Sequence, residues 1–217
     1  MKKILLAFFL ILIVVFSTSA QTIDLFNGKD LNNWNFVVDK NQLPASDIFK
    51  VNKNAIHITG TPFGYMYTKD TYSNFKLHVE WKWLKEATNS GIFLFVHPDK
   101  KSNPDFVWPN GVECQLSAGD AGDFVLLNGA DIKEFVVGDG KKRPAFPIVK
   151  KYKESVEMPV GEWNNAEITC QSGEIIVYIN GVLMNKGTGS LHKSGHIGLQ
   201  SEGKDILFRN IRLTPIN

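Results

Sequence analysis

The chain has 217 residues, which is enough for one domain of ordinary size or two small ones. Hydrophobic residues make up 43% of it and charged residues 21%, a globular composition that excludes a disordered or fibrous chain. Removing Lys2 and Lys3 from the 24 basic residues leaves 22 against 22 acidic ones, without the basic excess expected of a nucleic-acid binder.

The first twenty residues have the pattern of a secretory signal peptide. Lys2 and Lys3 precede an apolar run over 4–16, and Thr18 and Ala20 then occupy the −3 and −1 positions of a cut before Gln21. This apolar run is too short to cross about 30 Å of hydrocarbon as a membrane anchor. We therefore expect cleavage of 1–20, export to the periplasm or the medium, no membrane attachment afterwards, and a single domain over 21–217.

Alternation of apolar and polar residues predicts short strands along the rest of the chain. In Phe75–Trp83 the apolar side chains share one face and the polar ones share the other, as in a strand with one side in a core. Asn180-Gly181 between apolar runs predicts a tight hairpin, and no convincing segment has a helical period. Further strands are predicted at Gly91–Val96, Gly111–Leu116, Ala166–Thr169, Glu174–Ile179, Val182–Leu183, Gly195–Gln200 and Asp205–Leu213.

This series of strands separated by turns predicts an all-β sandwich or barrel. Asp99–Asn110 and Asp131–Lys153 are predicted surface loops, and loops of that length on a β scaffold are either functional or disordered. Cys114 and Cys170 lie in apolar alternating segments. Buried free cysteine is a common small core residue, so we expect two core thiols, with a disulfide as the alternative.

Several segments in chain order resemble the 3-keto-disaccharide hydrolase domain family. They extend from residue 25 to residue 211 and so cover nearly the whole predicted domain. The segments are Leu25-Phe26-Asn27-Gly28-Lys29-Asp30-Leu31 with Trp34, Phe75–Trp81, Asn89-Ser90-Gly91-Ile92-Phe93-Leu94, Gly111-Val112-Glu113-Cys114-Gln115, Gly161-Glu162-Trp163-Asn164, and Ile197-Gly198-Leu199-Gln200 with Gly203 and Phe208-Arg209-Asn210-Ile211.

The resemblance implies a concanavalin A-like jelly-roll sandwich of two antiparallel sheets, with the site on a concave sheet. It also implies an exported enzyme that acts on glycosides already oxidised at C3, as a lyase or a hydratase. The 3-keto group acidifies the C2 hydrogen, so a base can remove it and the C1 substituent can leave. Water can then add to the resulting 2-hydroxyglycal, which completes a net hydrolysis.

Such chemistry needs a base near C2, an acid for the leaving group and a stabiliser for the enolate. Alternation places Glu113 and Gln115 on the polar face of their strand, and it places Glu80 and His78 on the polar face of theirs. If these strands are neighbours, Glu80 and Glu113 form a carboxylate pair in which repulsion raises one pKa. His97, at the end of its strand, is a third catalytic candidate, with a metal ligand or a surface histidine as alternatives.

The remaining candidates, together with Gln115 and His78, would bind the sugar. Trp108 in the first long loop either stacks on a sugar face or anchors the loop on the core. Asn89, Gln200 and Arg209 lie in the family-like segments, with a structural hydrogen-bond hub as the alternative for Arg209, and Glu202 precedes Gly203 where many members have a histidine. A divalent metal would polarise the 3-keto group, but no tight ligand motif identifies one. The expected partner is a small glycoside or 3-keto sugar.

Two other functions fit a β sandwich. One is a sugar-binding module without catalysis, since the same fold serves many functions. The other is a retaining glucanase, which needs two carboxylates about 5–5.5 Å apart. Glu113-Cys114-Gln115-Leu116-Ser117-Ala118 lacks the Asp and second Glu of the glucanase strand pattern Glu-x-Asp-x-x-Glu, so the glucanase ranks third.

Overall fold

A computed structural model of the chain is an all-β sandwich of two antiparallel sheets, which confirms the expected jelly-roll architecture. It describes residues 21–216, so the predicted signal peptide lies outside the described residues.

Within that range no helix is long and apolar enough to cross a membrane. In the described part of the chain the helical segments are α1 (Ala45–Ile48) and a 3-10 turn at Asp39–Asn41. The strands are β1 (Ile23–Asp24), β2 (Trp34–Val38), β3 (Phe49–Asn52), β4 (Ala55–Ile58), β5 (Gly64–Thr68), β6 (Phe75–Trp83), β7 (Gly91–His97), β8 (Asn110–Gln115), β9 (Phe124–Leu127), β10 (Ile148–Val149), β11 (Asn164–Gln171), β12 (Glu174–Ile179), β13 (Val182–Gly187), β14 (His196–Ser201) and β15 (Ile206–Pro215).

The strand order brings distant parts of the chain together in each sheet. The eight-stranded sheet has the order β13-β12-β11-β6-β15-β4-β3, with β1 paired to β15. The seven-stranded sheet has the order β10-β9-β8-β7-β14-β5-β2. The late strand β14 lies between β7 and β5, so residues near 65, 91, 113 and 200 become neighbours.

The inner faces of the two sheets form the main core. The apolar residues of β6, from Phe75 to Trp83, all point inward, and the polar residues between them are at least partly exposed. Cys114 and Cys170 are buried in the same core as free thiols, and burial raises the pKa of both. The expectation of two core thiols is therefore supported over the disulfide.

The outer face of the seven-stranded sheet is also largely buried. A second apolar cluster lies on this face, and Phe146 of the second long loop packs against it. Phe106 of the first long loop meets Phe146 with ring centroids 5.0 Å apart. The two predicted surface loops therefore contact each other beside this sheet. The cluster consists of Tyr65, Phe93, Val96, Trp108, Val125 and Leu127.

Candidate active site

A row of polar side chains crosses the outer face of the seven-stranded sheet. Gln115 of β8 pairs with Gly91 of β7, and Gln200 of β14 pairs with Tyr65 of β5. Between them, Leu199 pairs with Ile92, so the next residues of those two antiparallel strands, Gln200 and Gly91, are also adjacent. Side chains on one face of such a row lie within contact distance across each strand pair.

The carboxyl group of Glu113 leans across the neighbouring strand at Gly91. A Cβ atom at Gly91 would lie 2.1 Å from Glu113 Oε1, so only glycine leaves this space open. The Gln115 amide is oriented so that its nitrogen faces neighbouring oxygen atoms. This nitrogen donates to Glu113 Oε1 at 2.8 Å and to Asn89 Oδ1 at 3.0 Å. Glu113 is thereby fixed over the centre of the row, with only 2% of its surface exposed.

A second carboxyl group, that of Glu202, lies next to Glu113. The Nε2 of Gln200 donates to Glu202 Oε2 at 2.9 Å, and the backbone of Glu202 pairs with that of Asn89. Burial, and secondarily the negative charge of Glu202, raises the pKa of Glu113 well above its usual value. Burial also raises the pKa of Glu202, while a hydrogen bond from Asn89 opposes that rise.

The residues of the site differ in their exposure to solvent. Asn89, Gln115 and Glu202 are half-exposed, whereas Glu113 and Gln200 are buried. The structure therefore brings together five residues predicted from the sequence, one as catalytic and four as sugar-binding. Sequence reasoning missed Tyr65, although its alternation in Gly64–Thr68 is a signal that could have placed it on the same face.

Trp108 lies beside this site but is not free to stack on a ligand. It is 9% exposed and packs against Phe93 and Phe63, with ring centroids 6.1 and 5.8 Å away. Its backbone carbonyl accepts a hydrogen bond from Asn128 Nδ2 at 2.9 Å. The alternative in which Trp108 anchors the loop is the one that the structure supports.

Three candidates lie on the other sheet, away from Glu113. Glu80, His78 and Arg209 occupy the outer face of the eight-stranded sheet, on β6 and β15. The expected pairing of Glu80 with Glu113 is wrong, because their strands belong to different sheets and both side chains point away from the shared core. Arg209 Nε donates to Glu80 Oε2 at 2.6 Å, and Asn210 Nδ2 donates to Glu80 Oε1 at 2.7 Å.

These contacts make Glu80 part of a structural network. Burial favours the neutral carboxyl, but the hydrogen bonds from Asn210 and Arg209 prevail and lower the pKa of Glu80. His78 contacts Glu80 and Glu167, and Arg209 lies 3.9 Å from the ring centroid of Trp163. The hydrogen-bond hub that we considered for Arg209 is therefore observed.

His97 lies at the far end of β7 from Gly91. It is four positions beyond Phe93, which pairs with Glu113, and this corresponds to about 13 Å along a strand. Its Nε2 contacts the carbonyl of Ser194 at 2.9 Å, and its ring lies 4.1 Å from that of His192. His97 therefore does not join the carboxyl groups. Among residues 21–216 the structure contains no group of three or more His, Cys, Asp or Glu side chains arranged to hold a metal ion.

Comparisons with known proteins agree with this architecture. The sequence profile of the 3-keto-alpha-glucoside-1,2-lyase-like domain matches residues 21–214. A Bacteroides thetaiotaomicron protein named 3-keto-disaccharide hydrolase is 24% identical in an alignment 241 positions long, gaps included, that covers 90% of this chain and 78% of the relative.

Among solved structures, a candidate glycosyl hydrolase from Parabacteroides distasonis ATCC 8503 has a TM-score of 0.64 at 20% identity, covering 90% of this chain and 94% of that one. The carbohydrate-binding module CBM66 from Bacillus subtilis has a TM-score of 0.61 at 13% identity, covering 83% and 94%. An enzyme candidate and a binding module thus share the fold, so the fold alone does not decide the function.

Proposed function

Because this chain belongs to the 3-keto-alpha-glucoside-1,2-lyase-like domain family, we propose that it is a carbohydrate-active enzyme that cleaves 3-keto-glycosides. The name of the Bacteroides relative, a 3-keto-disaccharide hydrolase, supports the same substrate class. The observation that carries the proposal is the pair of neighbouring carboxyl groups, Glu113 and Glu202, on the outer face of the seven-stranded sheet.

The proposed reaction begins with removal of the C2 hydrogen of the 3-keto sugar. A carboxylate takes the proton, and the electron pair of the C–H bond forms the C2=C3 bond of an enolate. The enolate then collapses, so that the 3-keto group returns, C1=C2 forms and the C1–O bond breaks. The departing aglycone takes a proton from the second carboxyl group, and water can add to C1=C2 of the glycal afterwards.

The surroundings of the two carboxyl groups favour different roles. Glu113 is buried, and its raised pKa favours the protonated form, which can supply a proton to the leaving group. Burial raises the pKa of Glu202 as well, but Glu202 is half-exposed, a hydrogen bond from Asn89 opposes that rise, and Gln200 also donates to its carboxyl group, so Glu202 ionises more readily than the fully buried Glu113. We therefore assign Glu113 as the acid and Glu202 as the base, and Glu80 takes no part in this assignment.

The test is a product assay on the domain over 21–217. A 3-keto-glucoside and its unoxidised parent are each incubated with the protein, with and without EDTA, and the products are followed by mass spectrometry. Consumption of the keto sugar alone is the expected result, and its loss in EDTA would assign a divalent metal to the site. Binding of both sugars without any product would support the sugar-binding module, and cleavage of the parent alone would support the glucanase.

The proposal places the enzyme outside the cytoplasm. The charged start, apolar run and small residues of 1–20 support export through a cleaved signal peptide. Expression of the full chain with a C-terminal tag tests this: a periplasmic or secreted product whose N-terminus begins at Gln21 is expected. A tagged product that keeps residues 1–20 in the cytoplasmic fraction would contradict it.

A further inference from the structure

Two polar atoms at the buried end of the candidate site have no hydrogen-bond partner in the part of the chain that the structure describes. They are the hydroxyl oxygen of Tyr65 and the Oε1 of Gln200. Both residues are buried, at 0% and 2% exposed. A buried polar atom without a partner is unfavourable, so a ligand that satisfies both atoms would recover the free energy of their desolvation.

The two atoms differ in what they offer a ligand. Gln200 Nε2 already donates to Glu202, so the free Oε1 of the same amide can only accept a hydrogen bond. The phenol of Tyr65 can donate its proton. Gln200 and Tyr65 are direct cross-strand partners on β14 and β5, so their side chains lie on the same face of the sheet, where one ligand can contact both.

We propose that Tyr65 and Gln200 together recognise an α-hydroxy ketone, with Tyr65 donating to the ketone oxygen and Gln200 accepting from the hydroxyl on an adjacent carbon. In a 3-keto sugar these groups are O3 and the hydroxyl at C2 or C4. The assignment rests on the function proposed above and identifies the group that holds the reacting ketone.

The same donor stabilises the enolate. When the C2 hydrogen leaves, negative charge develops on O3, and a fixed donor in a site without bulk water is worth more to that charge than to the neutral ketone. Burial raises the pKa of Tyr65, which keeps the phenol protonated and able to donate. Gly91, on the strand between Gln115 and Gln200, leaves space for the Glu113 carboxyl group, which therefore lies on the same face of the sheet as Tyr65 and Gln200.

Tyr65→Phe tests the inference, with Tyr67→Phe as the matched control. Tyr67 lies two residues away on the same face of β5, with its ring 5.7 Å from that of Tyr65, and it is half-exposed. The probe is a 3-keto sugar that carries hydrogen instead of a C1 substituent. It can exchange its C2 hydrogen for deuterium, but it cannot eliminate, so NMR reports enolate formation alone. A second assay measures product from a 3-keto-glucoside.

We expect Tyr65→Phe to lower the exchange rate and kcat/KM by about 10²–10³, as for removal of an oxyanion-hole donor, and Tyr67→Phe to change them less than threefold. The Tm of Tyr65→Phe should equal or exceed that of the wild type, because the substitution removes a buried hydroxyl without a partner. A lower Tm together with lost exchange would show a structural role and overturn the inference, and so would unchanged exchange.

The two assays separate failure of the inference from failure of the proposed function. If the wild type exchanges the C2 hydrogen of the probe and Tyr65→Phe does not, but the wild type forms no product from the glycoside, elimination is refuted and the recognition of the ketone is retained. Product formation that Tyr65→Phe leaves unchanged would refute the inference and keep the function. Absence of both exchange and product in the wild type would refute both.

Discussion

Glu113→Gln separates the chemistry of the buried carboxyl from its packing. Glutamine has nearly the same shape, its oxygen can accept the hydrogen bond from Gln115, and it needs the same space over Gly91. An unfolded glutamate loses its proton above pH of about 4.3, while the raised pKa keeps the proton on folded Glu113. The folded state then binds more protons than the unfolded state, so the free energy of unfolding falls as pH rises.

The size of this effect follows from one proton. Between the unfolded and the folded pKa of Glu113, the wild type should lose about 1.4 kcal/mol of unfolding free energy per pH unit relative to Glu113→Gln. The variant is therefore expected to match the wild type near pH 4 and to be the more stable protein at pH 7. Its kcat on a 3-keto-glucoside should fall by about 10²–10⁴, as for loss of a general acid.

Glu80→Gln is the matched control, because its expected sign is opposite. Hydrogen bonds from Arg209 and Asn210 lower the pKa of Glu80, so its stabilising effect is present at neutral pH and is lost as pH falls through its folded pKa. Glu80→Gln should cost about 2 kcal/mol at pH 7 and leave kcat within threefold. Urea unfolding of both variants from pH 4 to pH 8 measures this. A pH-independent difference between wild type and Glu113→Gln would refute the reasoning.

Three further outcomes follow from the packing. Gly91→Ala should lower kcat by about 10² and also lower Tm, because the new Cβ would lie 2.1–2.8 Å from Oε1, Cδ and Cγ of Glu113, whose buried and hydrogen-bonded side chain would have to move; wild-type kinetics in this variant would contradict the proposed site. Trp163→Ala should lower the free energy of unfolding by about 1–2 kcal/mol and leave kcat unchanged, because the Trp163 ring contacts two cationic side chains of the eight-stranded sheet, away from the site. A loss of turnover in this variant would give the eight-stranded sheet a role in the reaction. The thiols of Cys114 and Cys170 should resist a thiol reagent in the native protein and react in guanidinium, whereas fewer than two reactive thiols after unfolding would indicate a disulfide.

Alternation predicted the strands in which one face is apolar and the other polar. Phe75–Trp83 and Glu174–Ile179 have the predicted bounds, because their polar residues lie on the solvated face of the eight-stranded sheet. The family-like segments also identified Glu113, Gln115 and Gln200, since the site residues lie inside those segments. For these segments the local sequence pattern is enough to predict the bounds of the strands and the residues of the site.

The sequence could not show which strands share a sheet. Glu80 and Glu113 have the same kind of alternation, yet β6 and β8 belong to different sheets, because pairing depends on contacts between residues far apart in the chain. Short strands such as Phe124–Leu127 were missed because both of their faces are buried and no polar alternation marks them. Trp108 was ambiguous for a related reason: the apolar residues that cover it, Phe93 on β7 and Phe63 just before β5, are distant from it in the chain.

The burial of β7 on both faces has a consequence for the rigidity of the site. Amide groups in a strand that is covered on each side exchange with solvent only when the protein opens globally, whereas amides near loops exchange through local opening. Glu113 and Gln200 lie on the two strands that flank β7, so they are attached to the part of the molecule that opens last. Their geometry is therefore set before substrate arrives, and the half-exposed side chains at the rim, Asn89 and Glu202, are the ones left to adjust to a bound sugar.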